Sequence, residues 1–197
     1  MSTIKTCRIL GVNIAVTNMA QTVQYIENNL EELRGKYICV SNVHTTVMAH
    51  DNPAYRNVQN SAAIALPDGK PLSVVSRKRG YTEAERVTGP DLMGELFARE
   101  NGLKHFFYGD KEETLQILQQ KLKEKYPDIQ IAGMISPPFR SLSQEEEKAY
   151  IQQINDSGAD IIWIGLGAPK QENWMYEHQG MLHGVMIGVG AGFSYHA

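Results

Sequence analysis

A chain of 197 residues is long enough for one domain to bury a full core, and 42% hydrophobic with 21% charged residues is the balance of a globular protein, not a disordered one. A net charge of -3 and a pI near 6.1 argue against a dedicated nucleic-acid binder, which would carry a basic face. No stretch approaches the roughly 20 apolar residues of a membrane span. The opening MSTIKTCRILGVNI lacks the apolar run and cleavage site of a signal peptide, so a soluble cytosolic chain is expected.

Arg8 to Ile14 has strand composition and can pair in a hairpin with the residues that follow. Thr17 or Asn18 is placed to cap a helix running to about Leu33, with Met19, Val23, Ile26 and Leu30 spaced along one face. Tyr37 to Ser41 is a strand. Thr45 to Gln59 is helical, with Pro53 starting, breaking or kinking part of it. Ala62 to Leu66 is a short strand ending at Pro67-Asp68-Gly69, and Pro90 to Glu100 is a helix. Lys104 to Tyr108 is a strand, and Gly109-Asp110 turns into a helix through Lys125, with Asp110 and Glu113 at capping-box spacing. Ile129 to Ile135 is a strand. Ser143 and Glu146 form a second capping box for a helix through Asn155, and the run from Gln144 to Lys148 is its solvated start. Ile161 to Ile164 form a strand apolar on both faces, and Val185 to Val189 form the last strand.

Strands alternating with helices predict an α/β fold: a Rossmann-like, mainly parallel sheet with helices on both faces. The chain is expected to form a single compact domain, residues 1–197, with an N-terminal sub-region and a soft internal boundary near Gly102. In such sheets ligands gather at the carboxyl ends of the strands. That rule collects Asn42, Asp68, Gly69, Gly109, Ser136 and the turn Gly165 to Gln171.

The stretch Asp160 to Asn173, DIIWIGLGAPKQEN, is the most informative. Gly165 and Gly167 permit a tight turn and close approach of a ligand. Pro169 suits the first position of a helix, which would set Lys170 and Gln171 where free N–H groups favour a phosphate. The alternative is an ordinary strand-to-helix turn. Asp68, held between proline and glycine, can act as a general base or simply bond its own turn. Arg86 can clamp a diphosphate, or pair on the surface with Glu83 or Asp91. Gly190, in the run Gly188 to Gly192, can cradle a ligand or merely pack closely. Asp91 suits a cap or helix-dipole partner, and Pro137-Pro138-Phe139-Arg140 a stiff connector. The six histidines show no metal-ligand spacing, and no Asp-x-Asp pair signals a metal held with a nucleotide diphosphate. No metal and no cofactor are therefore expected. Cys7 and Cys39 suit buried free thiols. GxSxG is absent, which weighs against an α/β-hydrolase, and so is strict GxGxxG, which makes an oxidoreductase binding NAD(P) remote.

Taken in order, GVNIAVTNMAQTVQYI, Asn42, LPDGKPL, ERVTGPDLM, YGDKEE, IGLGAPKQE and GVGAGF resemble the WecG/TagA/CpsF family of bacterial glycosyltransferases over nearly the whole chain. The resemblance implies an inverting transfer of a sugar, with N-acetylmannosamine the best-known donor sugar, from a UDP-sugar to a polyprenyl-diphosphate-linked sugar. Such steps build wall teichoic acid, capsules and related polysaccharides at the cytosolic face of the membrane. It implies Asp68 as the base, Arg86 as stabiliser of the departing diphosphate, Asn42 on the sugar or acceptor side and Gln171 on the nucleotide sugar. Backbone groups from Gly165 to Lys170 would lie nearby. Two departures stand out. Many members have Thr-Pro-Asn where this chain has Val40-Ser41-Asn42, and aspartate where it has Ser194. They leave open a second reading, a nucleotide-sugar-binding protein with impaired catalysis. The resemblance also implies a further C-terminal segment that reaches the membrane surface and completes the site, low activity without it, and a homo-oligomer, trimer or dimer.

Overall fold

The computed structural model describes residues 3–197, and its spine is one sheet of eight strands. β1 (Thr6–Ile9) and β2 (Val12–Ala15) form an antiparallel hairpin where the sequence suggests one strand from Arg8 to Ile14. Leu10 and Gly11 both have positive φ, as a two-residue hairpin turn demands. β3 (Tyr37–Ser41), β4 (Ile64–Pro67), β5 (Lys104–Gly109), β6 (Gln130–Ile135), β7 (Ile161–Gly165) and β8 (Val185–Gly188) are joined by parallel pairings, and β2 meets β4 in parallel. The order across the sheet is β1-β2-β4-β3-β8-β7-β5-β6.

The helices divide between the two faces according to which strand residues they bury. On one face lie α3 (Val43–Asp51), α4 (Pro53–Ser61), α5 (Lys70–Lys78), α8 (Gln144–Asp156) and α9 (Lys170–His178), packed on Tyr37, Cys39, Ile162, Ile164 and Met186. On the other lie α1 (Met19–Asn28), α2 (Leu30–Leu33), α6 (Gly89–Phe97), α7 (Glu112–Lys125) and α10 (Gly192–His196), packed on Ile38, Val40, Ile161, Trp163 and Ile187. Successive residues of one strand thus feed opposite cores, and the central strands read as unbroken apolar runs for that reason. Cys7 and Cys39 are buried free thiols, as expected.

Several local expectations change. Pro53 starts a second helix, because Asn52 ends α3 and its side chain accepts from the N–H groups of Ala54 and Tyr55. α5 and α10 are unanticipated. Pro169 stands just before α9 in the N-cap position, not inside its first turn. Asp110 caps nothing: it sits at φ 59, its carboxylate takes the Lys111 N–H at 2.7 Å and the Ser194 hydroxyl at 3.1 Å, and Lys111 occupies the N-cap of α7. The Ser143–Glu146 capping box is present in both directions.

Candidate active site

After β3 the chain turns into α3 on one face; after its neighbour β8 it turns into α10 on the other. Adjacent parallel strands whose continuations part to opposite faces leave a crevice at their carboxyl ends, the usual place for a ligand in an open α/β sheet. A cleft of about 420 Å³ opens there. Asn42, Thr45, Asp68, Gly167, Gln171, Glu172 and Gly190 line it.

Each polar group is delivered by the end of an element. Asn42 directly follows β3 and caps α3: its side-chain carbonyl accepts from the Thr45 N–H at 3.0 Å while its own N–H donates to the Thr45 hydroxyl. The cap uses the oxygen and leaves the Asn42 amide nitrogen free to donate. Asp68 follows β4, where its backbone N–H donates to the Ser41 carbonyl at 2.7 Å. Gly69, at φ 100 in the N-cap position of α5, makes the left-handed step that lets the chain leave the strand there. Among the described residues the Asp68 carboxylate accepts no hydrogen bond, so it does not close the local turn. Half-burial raises its pKa, Arg86 opposes that rise and Asp91 adds to it. A carboxylate with unused lone pairs and a raised pKa is suited to take a proton.

Arg86 stands at the edge of this arrangement. Its guanidinium lies 3.8 Å from Asp91, with 56% of its side chain exposed. The surface ion pair is therefore formed, and Arg86 still contributes positive potential at Asp68. Asp91 lies in the first turn of α6, whose actual cap is Thr88.

The glycine turn separates into two kinds of residue. Gly167, at φ 77, faces open space and lines the cleft; Gly190, at φ 53, also lines it, beside the Gln171 amide nitrogen. Gly109 and Gly165 serve packing: a Cβ at Gly109 would lie 2.4 Å from the Gly165 carbonyl oxygen, and one at Gly165 would meet the Phe193 ring at 2.9 Å. Lys170 faces a second cavity of about 740 Å³ that continues around the start of α9. Tyr108 and Trp174, stacked with centroids 4.7 Å apart, and the loop Pro137 to Arg140 line that cavity. Phe139 there is 84% exposed, while Arg140 is held by both oxygens of Glu146 at 2.6 and 2.8 Å.

Val40 lines the main cleft with an apolar side chain. Ser41 does not replace the missing hydroxyl beside it, because its Oγ points into the opposite core and donates to Gln59 at 2.5 Å. Sequence reasoning passed over Thr45 and Glu172. Glu172 belonged to the quoted IGLGAPKQE segment, but the segment alone does not say which side of the helix is buried.

The family described as "Glycosyl transferase WecG/TagA/CpsF family" matches residues 7–197. Proteins of Staphylococcus aureus strains NCTC 8325 and COL, each named N-acetylglucosaminyldiphosphoundecaprenol N-acetyl-beta-D-mannosaminyltransferase, are 29% identical over 187 residues, covering 92% of this chain and 72% of theirs. The corresponding protein of strain MRSA252 is likewise 29% identical over the same span.

Proposed function

This chain belongs to the WecG/TagA/CpsF family of glycosyl transferases, and we propose that it moves N-acetylmannosamine from its UDP derivative to a sugar carried on polyprenyl diphosphate. The observation that carries the reading is the Asp68 carboxylate, half-buried and unbonded at the cleft where Asn42 and Gln171 also converge. The names of the relatives supply the sugar and the lipid carrier.

In this scheme Asp68 removes the proton from the acceptor hydroxyl as its oxygen attacks the anomeric carbon. The bond from that carbon to the UDP diphosphate breaks on the opposite side, so the centre inverts. The electron pair leaves with the diphosphate, toward Arg86 and the N–H groups at the start of α9, which favour negative charge. Asn42 donates through its free amide nitrogen. The reaction as proposed needs no metal: the positive potential comes from the protein.

Among the described residues no helix is long and apolar enough to cross a membrane. Work on a lipid-linked acceptor then requires the protein to meet the cytosolic membrane face from one side, and we place it there as a peripheral protein. Val40, apolar where many members carry threonine, supports the second reading of a chain that binds nucleotide sugar but turns it over poorly.

Calorimetric titration with UDP in EDTA, with NAD as control, tests the site. Transfer from UDP-N-acetylmannosamine to a polyprenyl-diphosphate-linked N-acetylglucosamine tests the activity. Heat with UDP alone and turnover reduced about 10³-fold in Asp68→Asn are expected. UDP binding without turnover would select the binding-protein reading; heat with NAD alone would overturn both.

A further inference from the structure

Among the described residues Glu172 is the only buried carboxylate, with 1% of its surface exposed, and it lies at the wall of the cleft. One of its oxygens accepts from the Gln171 side-chain amide at 2.9 Å; the other has no hydrogen-bond partner. Burial raises its pKa, with the bond from Gln171 the strongest opposing influence and the Tyr55 hydroxyl a weaker one. Tyr55 is free to donate toward it, since its own oxygen accepts from Gln59 at 2.9 Å, and Gln59 in turn accepts from Ser41. One buried hydrogen-bonded chain runs from Ser41 through Gln59 to Tyr55, whose hydroxyl lies near Glu172, and a second joins Glu172 to Gln171. The second ends in the glycine loop after β8, where the Gly190 N–H donates to the Gln171 carbonyl oxygen at 3.0 Å.

The two partners of Gln171 are of opposite type. A backbone N–H can meet only the carbonyl end of the carboxamide, and a carboxylate oxygen only the amide end. A flipped side chain would face donor to donor and acceptor to acceptor. The glycines leave room for this one placement: a Cβ at Gly188 would come within 3.2 Å of the Gln171 amide nitrogen. That nitrogen has a second hydrogen with no partner among the described residues.

We infer that Glu172 is a positioning residue: it locks the Gln171 carboxamide so that the second amide hydrogen is a fixed donor to a substrate oxygen in the Asp68 cleft. The inference rests on the cleft being the sugar-nucleotide site. Burying an acid with one oxygen unbonded costs stability, and the cost is intelligible if the acid serves to hold Gln171 still.

The test uses Glu172→Leu, Glu172→Gln and Gln171→Ala. Glu172→Leu should melt no lower than wild type yet lose about 10²-fold in kcat, as removal of one aimed donor does. The loss should match that of Gln171→Ala, and the double variant should be no worse than either single one. Glu172→Gln keeps an acceptor and should recover most of the activity. NMR of the unliganded protein gives a readout separate from turnover. The Gln171 side-chain amide protons should exchange slowly in wild type and Glu172→Gln and quickly in Glu172→Leu. Wild-type turnover in Glu172→Leu, additive losses, or rapid exchange already in wild type would each overturn the inference. Absence of UDP binding and turnover in wild type, with slow exchange intact, would overturn the substrate reading and leave the Glu172–Gln171 lock standing.

Discussion

At the amino ends of the strands, polar groups are closed on one another. Asp160 accepts from the Lys104 N–H at 2.9 Å and pairs with Arg34, Gly35 exchanges backbone bonds with Gly180 and Gly184, and Trp163 donates to the buried His105 ring at 3.1 Å. At the carboxyl ends of the sheet's strands, the Asp68 carboxylate and the Asn42 amide nitrogen have no partner among the described residues. Both ends obey the rule that buried polar groups seek hydrogen bonds. One end satisfies it internally, and the other leaves it for a ligand to satisfy. Substitutions at the first should register in stability, and at the second in turnover.

The largest effect expected is on turnover at the open end. Asp68→Asn should lower transfer by about 10³-fold, within the range of general-base catalysis, without lowering the melting temperature. The sign follows from the raised pKa. The folded state holds the Asp68 proton more tightly than the unfolded state, so this group's contribution is full below the unfolded value and lost as pH rises through the folded value. Asparagine removes that loss at neutral pH. Turnover by wild type should rise through the same window, as the base ionises. Arg86→Ala should cost about 10²-fold in transfer. Stability should shift by no more than about 0.5 kcal/mol, because the exposed pair with Asp91 contributes little.

The closed end should answer in the opposite currency. Burial pushes His105 down to about 4, so the unfolded chain takes up a proton before the folded one does. Stability should therefore fall as pH drops from about 6.5 toward 4, by on the order of 3 kcal/mol in all. His105→Gln keeps an acceptor for Trp163 and should flatten that part of the curve in urea titrations at several pH values. Asp160→Ala should cost about 1–2 kcal/mol in the same titrations and leave turnover at wild type, since it frees the Lys104 N–H and Arg34 far from the cleft. A turnover loss in Asp160→Ala larger than in Arg86→Ala would break the division between the two ends.

Much of the sheet was legible because its central strands are apolar on both faces, and Tyr37–Ser41 falls on its expected bounds. α5 escaped notice because Pro71 and the β-branched pair Val74-Val75 resemble loop and strand more than helix. α10 was masked by the glycines before it. The cleft was legible where its lining is local to a strand end: Asn42, Asp68, Gly167, Gln171 and Gly190 do share one cleft. It was opaque where the role depends on what faces a residue across the sheet. Gly109 and Gly165 look like ligand glycines in sequence, yet each one's missing Cβ makes room for a neighbour in the fold. Glu172 and Ser41 are further cases: their burial depends on helix and strand orientation, which spacing alone left undetermined.

β8, which follows the other seven strands of the sheet in sequence, lies in its middle, hydrogen-bonded to β3 on one side and β7 on the other. Until residues 185–188 have left the ribosome, the growing protein can hold only two half-sheets, each with an apolar edge awaiting the same partner. Unpaired edges of that kind recruit other chains. Closure of the sheet and creation of the crevice beside β3 are therefore one event, which waits on β8. The groups that line the cleft cannot assemble before β8 is in place, and until then the first need of the growing protein is protection of those two edges.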